Sequence, residues 1–195
     1  RNRAQIMALL SETAEQGDAR AQFYLGYNYD KEQDHTRAVI WYRKAAEQGN
    51  ADAQYYLGLY SQGHEAVTWY RKAAEQGNDD AQYHLGHMYS QGLGVKQDDT
   101  QAEAWYRKAA EHGDAYIQND LGDRYYFGHG VKQNQTQAAA WYRESAEQGL
   151  ADAQTNLGLM YSQGRGVKQD NVQAHMWLTF SAAQGPDNAI GMKRG

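Results

Sequence analysis

The chain has 195 residues, 41% of them hydrophobic and 22% charged, with 19 Lys and Arg against 24 Asp and Glu for a formal net charge of -5. That balance suits a folded chain; the absence of cysteine excludes disulfides and thiol catalysis, and the alternating charges leave no positive stripe for nucleic acid. No apolar run approaches the roughly 20 residues that a membrane-spanning helix needs, so the chain is not expected to be membrane-embedded, and an export signal cannot be read from a sequence that opens at Arg1 inside half a repeat.

Residues 1–17 read as the second helix of an incomplete repeat, with Ile6, Leu9, Leu10 and Ala14 as its apolar residues and Gly17 ending it. Residues 18–49 and 50–77 follow as two short repeats. The first is marked by Leu25-Gly26 and Trp41 and ends at Gly49; the second is marked by Leu57-Gly58 and Trp69 and ends at Gly77. Residues 78–113 are the clearest copy. Asn78 can cap a first helix, helix A, that carries Ala81, Leu85, Met88 and Tyr89 on one face. Gly92 ends it, Gly94 permits a further turn, and Val95 is an apolar anchor before Asp98 starts helix B, with Gln101 at capping-box spacing. Helix B carries Ala102, Trp105, Tyr106, Ala109 and Ala110 and stops at Gly113. Residues 114–149 and 150–185 repeat this pattern around Trp141 and Trp177, and 186–195 begin another helix A that stops early.

The five tryptophans stand 28, 36, 36 and 36 residues apart, a period that signals a solenoid in which stacked copies bury what one unit cannot. Alanines let the helices approach, and the aromatic residues fill the larger gaps. Full burial of Trp105, at about 150–250 Å², is worth at most about 4–6 kcal/mol, so Trp105→Ala is expected to be severely destabilising. A glycine inside helix A costs about 1 kcal/mol against alanine; its recurrence as Gly26, Gly58, Gly86, Gly122 and Gly158 predicts that helix B passes too close for a methyl group. The first two repeats lack the Gly-x-Gly-Val turn found at Gly92, Gly128 and Gly164. Either these connections are truly tight or mobile loop residues are missing from the given sequence, and joins as direct as Gly63 to His64, with little room to turn, favour the second.

No catalytic constellation stands out. Ser61, Ser90 and Ser162 are copies of one structural position, and Arg107, Lys108 and Glu111 read as a solvated outer face. His84 and His87 are three apart, a spacing that can place two imidazoles on a metal, yet no third ligand is evident. The Gly-x-Gly-Val segments lack the strand and the Gly-Lys-Ser/Thr ending of a phosphate loop. No metal, cofactor or catalytic residue is assigned.

The phrases Ala-x-Ala-Gln-x-x-Leu-Gly at Ala51 to Gly58, Gly-x-Gly-Val at Gly92, and Ala-x-x-Trp-Tyr-x-x-Ala-Ala-Glu at Ala102 to Glu111 resemble the Sel-1-like repeat family, relatives of the tetratricopeptide repeat. Leu178, in place of tyrosine, departs from the pattern. The resemblance implies an all-α, right-handed superhelix of antiparallel helix pairs that acts as a non-catalytic adaptor or scaffold. The phrasing is similar to bacterial members and favours a periplasmic or exported setting over a cytoplasmic one. In related solenoids helix A lines the concave side, with exposed positions two and five residues before the Leu-Gly leucine and two after it. Here these are Arg20, Phe23 and Tyr27, then Asp52, Tyr55 and Leu59, Asp80, Tyr83 and His87, Tyr116, Asn119 and Asp123, and Asp152, Thr155 and Leu159. Spacings of three and four put each trio on one helix face. The expected groove is aromatic toward the N-terminal half and more polar toward the C-terminal half, and fits a protein or peptide partner. An alternative is a cell-envelope glycan or peptidoglycan fragment stacked on the tyrosines. Self-association through an uncovered terminal repeat is a further expectation.

Overall fold

A computed structural model describes residues 3–184 and shows eleven α-helices and, among the described residues, no strand. In chain order these are α1 (Arg3–Glu15), α2 (Ala19–Lys31), α3 (His35–Glu47), α4 (Ala51–Tyr60), α5 (Gly63–Glu75), α6 (Asp79–Gln91), α7 (Asp99–His112), α8 (Ala115–Phe127), α9 (Gln135–Glu147), α10 (Ala151–Gln163) and α11 (Asn171–Ala183). Even numbers are A helices and odd numbers are B helices. The expected truncated helix at 186–195 lies outside the described residues. The chain divides into two compact units, Arg1–Trp105 and Tyr106–Gly195, with the boundary inside α7. In the first, α2 packs on α1 and α3, α4 on α3 and α5, and α6 on α5; in the second, α9 packs on α8 and α10, and α11 on α10. Each unit is a stack of antiparallel helix pairs, the arrangement of an all-α solenoid.

The caps follow from the residues. Asn78 Oδ1 accepts the Ala81 N–H at 2.8 Å, and Asp18, Asn50 and Asp114 do the same for α2, α4 and α8. Gly92, Gly128 and Gly164 end α6, α8 and α10 in the left-handed region, with φ of 67°, 79° and 66°. The helix-A glycines sit where the sequence demands a close approach. A Cβ on Gly58 or Gly122 would lie 2.6 Å from the Tyr70 or Tyr142 ring, on Gly26 2.9 Å from Tyr42, and on Gly158 2.8 Å from Leu178.

Where a tyrosine follows the tryptophan it is the deeper residue. Tyr42, Tyr70, Tyr106 and Tyr142 are buried, whereas Trp41, Trp105, Trp141 and Trp177 are partly exposed and, of the five, only Trp69 is buried. Trp41 packs against the cluster formed by Ala14 of α1 with Ala21 and Leu25 of α2, with the Lys44 ammonium 4.1 Å from its ring centroid. An indole that keeps one side toward solvent loses less on truncation than the full-burial figure for Trp105→Ala assumes.

The short joins are direct. Helix α4 has 10 residues where the other A helices have 13, and Ser61 and Gln62 then run extended into α5. Stopping α4 one turn early brings the chain end to the start of α5. Between α2 and α3, Gln33 takes a φ of 62°. The second glycine of Gly-x-Gly-Val does more than turn: a Cβ on Gly94 would lie 2.2 Å from the Gly63 carbonyl carbon, and one on Gly166 2.1 Å from the Gln135 oxygen. It abuts the first residue of the preceding B helix.

A buried amide relay, not singled out in the sequence, ties successive pairs together. Gln22, Gln54, Gln82, Gln118 and Gln154 each donate Nε2 to the backbone carbonyl eight residues earlier, at 3.0–3.2 Å. The Oε1 atoms of Gln22, Gln54, Gln118 and Gln154 accept from Gln48, Gln76, Gln148 and Gln184 at 2.7–2.9 Å. Gln82 Oε1 is buried without a hydrogen-bond partner, and the sequence has His112 where the other repeats have the donor glutamine.

Candidate partner-binding face

The fifteen residues expected to face a partner divide by burial. Arg20, Asp52, Leu59, Asp80, His87, Tyr116, Asp152 and Leu159 are exposed, and Tyr27, Tyr83, Asn119, Asp123 and Thr155 are half-buried. Phe23 and Tyr55 are 9% and 7% exposed and belong to the core, a correction to the expectation that they face solvent. Phe23 packs with Ala38, Tyr42 and Leu57, and Tyr55 with Tyr70, Leu85 and Met88. The position two before the leucine meets the neighbouring pair, where small alanines leave room for a ring. Thr155 is also engaged, its hydroxyl 2.7 Å from that of Ser181.

In the first unit these buried rings support an aromatic run that reaches the helix-A face. Tyr56 of α4 lies 5.7 Å from Phe23, 5.9 Å from Tyr27 and 5.0 Å from Tyr42, centroid to centroid, and 5.3 Å from Tyr55. Tyr55 leads on to Tyr70 and His84, which stack at 5.1 Å with 8° between their planes, and His84 meets Tyr83. Among the described residues no group of three or more His, Cys, Asp or Glu could hold a metal ion. Burial pushes the Tyr70 phenol up to about 12.

At one edge of this run Asp30 gathers three partners. His35 Nδ1 lies 2.8 Å from its carboxylate, the Tyr60 hydroxyl donates to the same oxygen, and the Tyr42 hydroxyl reaches the other at 3.5 Å. Tyr60 and His35 also touch at 2.9 Å. Burial first, and then the Asp30 carboxylate, raise the phenols of Tyr42 and Tyr60 above their ordinary value. Tyr56 and Tyr60 are functional candidates that the leucine-offset rule passed over; tyrosines one before and three after the leucine were the available signal.

In the second unit the corresponding face is not simply polar. Tyr126, Phe127, Tyr142, Leu159 and Met160 line a cavity of ≈ 240 Å³ together with Asp123, Asn156, Gln163 and Arg165. Phe127 is among the more exposed large apolar residues, at 59%. The Tyr142 hydroxyl donates to Asp123 Oδ1 at 2.6 Å. Burial raises the Asp123 carboxyl above its ordinary value, with that hydrogen bond acting in the opposite direction. The ring that fills the space over Gly122 thus delivers its polar end to a carboxylate.

No curated protein matches the sequence. Among solved structures the chain is similar to a Sel1 repeat protein from Oxalobacter formigenes, at 38% identity over 96% of this chain and 82% of that one, with a TM-score of 0.80. It is also similar to c5321, a protective antigen of uropathogenic Escherichia coli with an SLR fold, at 35% identity over 94% of this chain and 50% of that one, TM-score 0.70. A Sel1 repeat protein from Klebsiella pneumoniae follows at 25% identity, covering 95% and 96% of the two chains, TM-score 0.62. Repeat folds of this type are commonly protein-interaction scaffolds. The Sel1 repeat profile matches residues 19–50, 51–78, 79–114, 115–150 and 151–186, each one residue later than the boundaries read from the glycines, and the chain therefore belongs to the Sel1 repeat family.

Proposed function

We propose that this chain is a non-catalytic scaffold that holds a peptide or partner protein against the exposed faces of its A helices. The observation that carries the reading is the aromatic run of the first unit. Tyr27 and Tyr83 stay half-exposed, with Leu59 and His87 exposed, over a floor of buried rings. A rigid floor lets such side chains offer contact area with little further loss of entropy on binding. Tyrosine supplies both a flat apolar surface and a hydroxyl, which suits an interface that must bury some groups and hydrogen-bond others.

A peptide-display selection followed by calorimetric titration tests this. The combined Tyr27→Ala, Leu59→Ala, Tyr83→Ala and His87→Ala variant should weaken the selected peptides by about tenfold or more, since clustered aromatic anchors dominate such interfaces, while helical circular dichroism is retained. Equal affinity for the variant would reject the aromatic face as the binding surface. Muropeptide titrations run beside the peptides give the glycan reading its own trial.

A further inference from the structure

The cavity of the second unit has a chemical character that the aromatic face of the first lacks. Asp123 Oδ1 is satisfied by the Tyr142 hydroxyl at 2.6 Å, while Oδ2 has only a long contact of 3.5 Å with Asn119 Nδ2. A carboxylate offers about four lone-pair sites, so this one retains acceptor capacity. Two cations stand near it: Arg165 lines the same cavity, and Arg124 acts on the Asp123 carboxylate through space. Arg124 Nε lies 2.6 Å from Asp120 with its guanidinium 4.0 Å from the Tyr106 centroid, and Arg165 donates to the Tyr126 hydroxyl. Burial, then Asp120 and Asp152, raise the Asp123 carboxyl, while the Tyr142 hydrogen bond and the Arg124 charge act in the opposite direction. A half-buried carboxylate between like charges and apolar walls is a place where an incoming cation gains most.

We infer that the cavity between α8 and α10 is a subsite for one basic side chain, lysine or arginine, of the polypeptide held on the helix-A face, its charge meeting Asp123 and its methylenes lying along Phe127 and Leu159. The inference rests on the scaffold reading above and adds the partner's chemistry. A volume of ≈ 240 Å³ admits one long side chain and no folded element. Lysine and arginine carry apolar stems behind a charged head, the combination that the lining presents in reverse.

The test uses nitrogen-labelled full chain titrated with the acetylated amides of arginine, lysine, norleucine and glutamate. The two basic probes should give saturable shifts at Phe127, Asn156 and Leu159, with affinity at least about fivefold above norleucine, as a charge-assisted contact requires. Glutamate should give none. Asp123→Asn keeps an acceptor for Tyr142 and so keeps the fold, yet should remove the preference for the basic probes. Arg165→Gln, which takes away the cation lining the cavity, should strengthen them. Norleucine matching arginine, or Asp123→Asn binding both basic probes as well as the parent, would overturn the subsite. Display-selected peptides separate the two levels: peptides that bind the helix-A face with affinity unaffected by Asp123→Asn sink the subsite and leave the scaffold standing, whereas a chain that binds no peptide sinks both.

Discussion

At the scale of single residues, the contact between a helix-A glycine and a helix-B side chain, Tyr42 over Gly26, Tyr70 over Gly58, Tyr142 over Gly122 and Leu178 over Gly158, sets the spacing of the pair. Gly58→Ala illustrates the balance of forces. Alanine gains about 1 kcal/mol of helix propensity, but its methyl would stand 2.6 Å from the Tyr70 ring, and overpacking of that kind costs about 1–3 kcal/mol. The expected outcome is a lower urea midpoint, and an unchanged or higher one would show that the ring moves freely. This glycine was legible in the sequence because a residue so unfavourable inside a helix needs a steric reason wherever it recurs. The burial of Phe23 and Tyr55 was not. Helical periodicity groups residues by face, but which neighbouring helix covers that face is a tertiary matter: Phe23 and Tyr55 are covered, whereas Tyr83, Asn119 and Thr155 at the same offset are half-buried. The tryptophans erred in the opposite sense. Their size promised the core, yet beside Trp41, Trp69 and Trp141 the smaller tyrosine takes the enclosed place over the glycine, and beside Trp177 Leu178 does.

At the scale of elements, capping explains where helices begin and predicts where one is under-supported. Asp18, Asn50, Asn78 and Asp114 each accept a backbone N–H at the start of an A helix, whereas α10 begins at Leu150 with no side-chain cap. Leu150→Asn should stabilise the chain by about 1 kcal/mol, read as a raised melting temperature; a fall would mean that the half-buried leucine contributes more by packing than a cap returns. Helix starts, the left-handed glycine ends and the pairing of helices were all readable from local chemistry. The joins were not, because the early stop of α4 that lets a two-residue link close depends on where α5 begins. The glutamine relay escaped for a related reason. Gln54 was visible as part of a recurring phrase, but its role depends on the Ala46 carbonyl near the end of the previous helix and on Gln76 from the next.

At the scale of the whole molecule, tyrosine chemistry governs the response to pH. The Tyr42, Tyr70 and Tyr142 phenols are all raised above their ordinary 10.0 by burial, Tyr70 to about 12. A phenol whose folded value exceeds its unfolded one contributes stability in full below the unfolded value and loses it as pH climbs through the folded one. The chain should therefore hold its helical signal up to about pH 10 and unfold between there and about pH 12, with phenolate absorbance of the buried rings rising together with the loss of helix. Smooth phenolate formation with helix intact would show these rings to be accessible. The glutamine relay carries a different implication for how such a chain changes over generations. Because Gln118 and Gln154 reach back by the same eight residues, to Ala110 and Ala146, excising residues 115–150 would present Gln154 with the Ala110 oxygen in unaltered register. Unequal crossing-over can thus shorten or lengthen the gene by whole copies, whereas a deletion out of phase strands an amide inside the protein and is removed by selection.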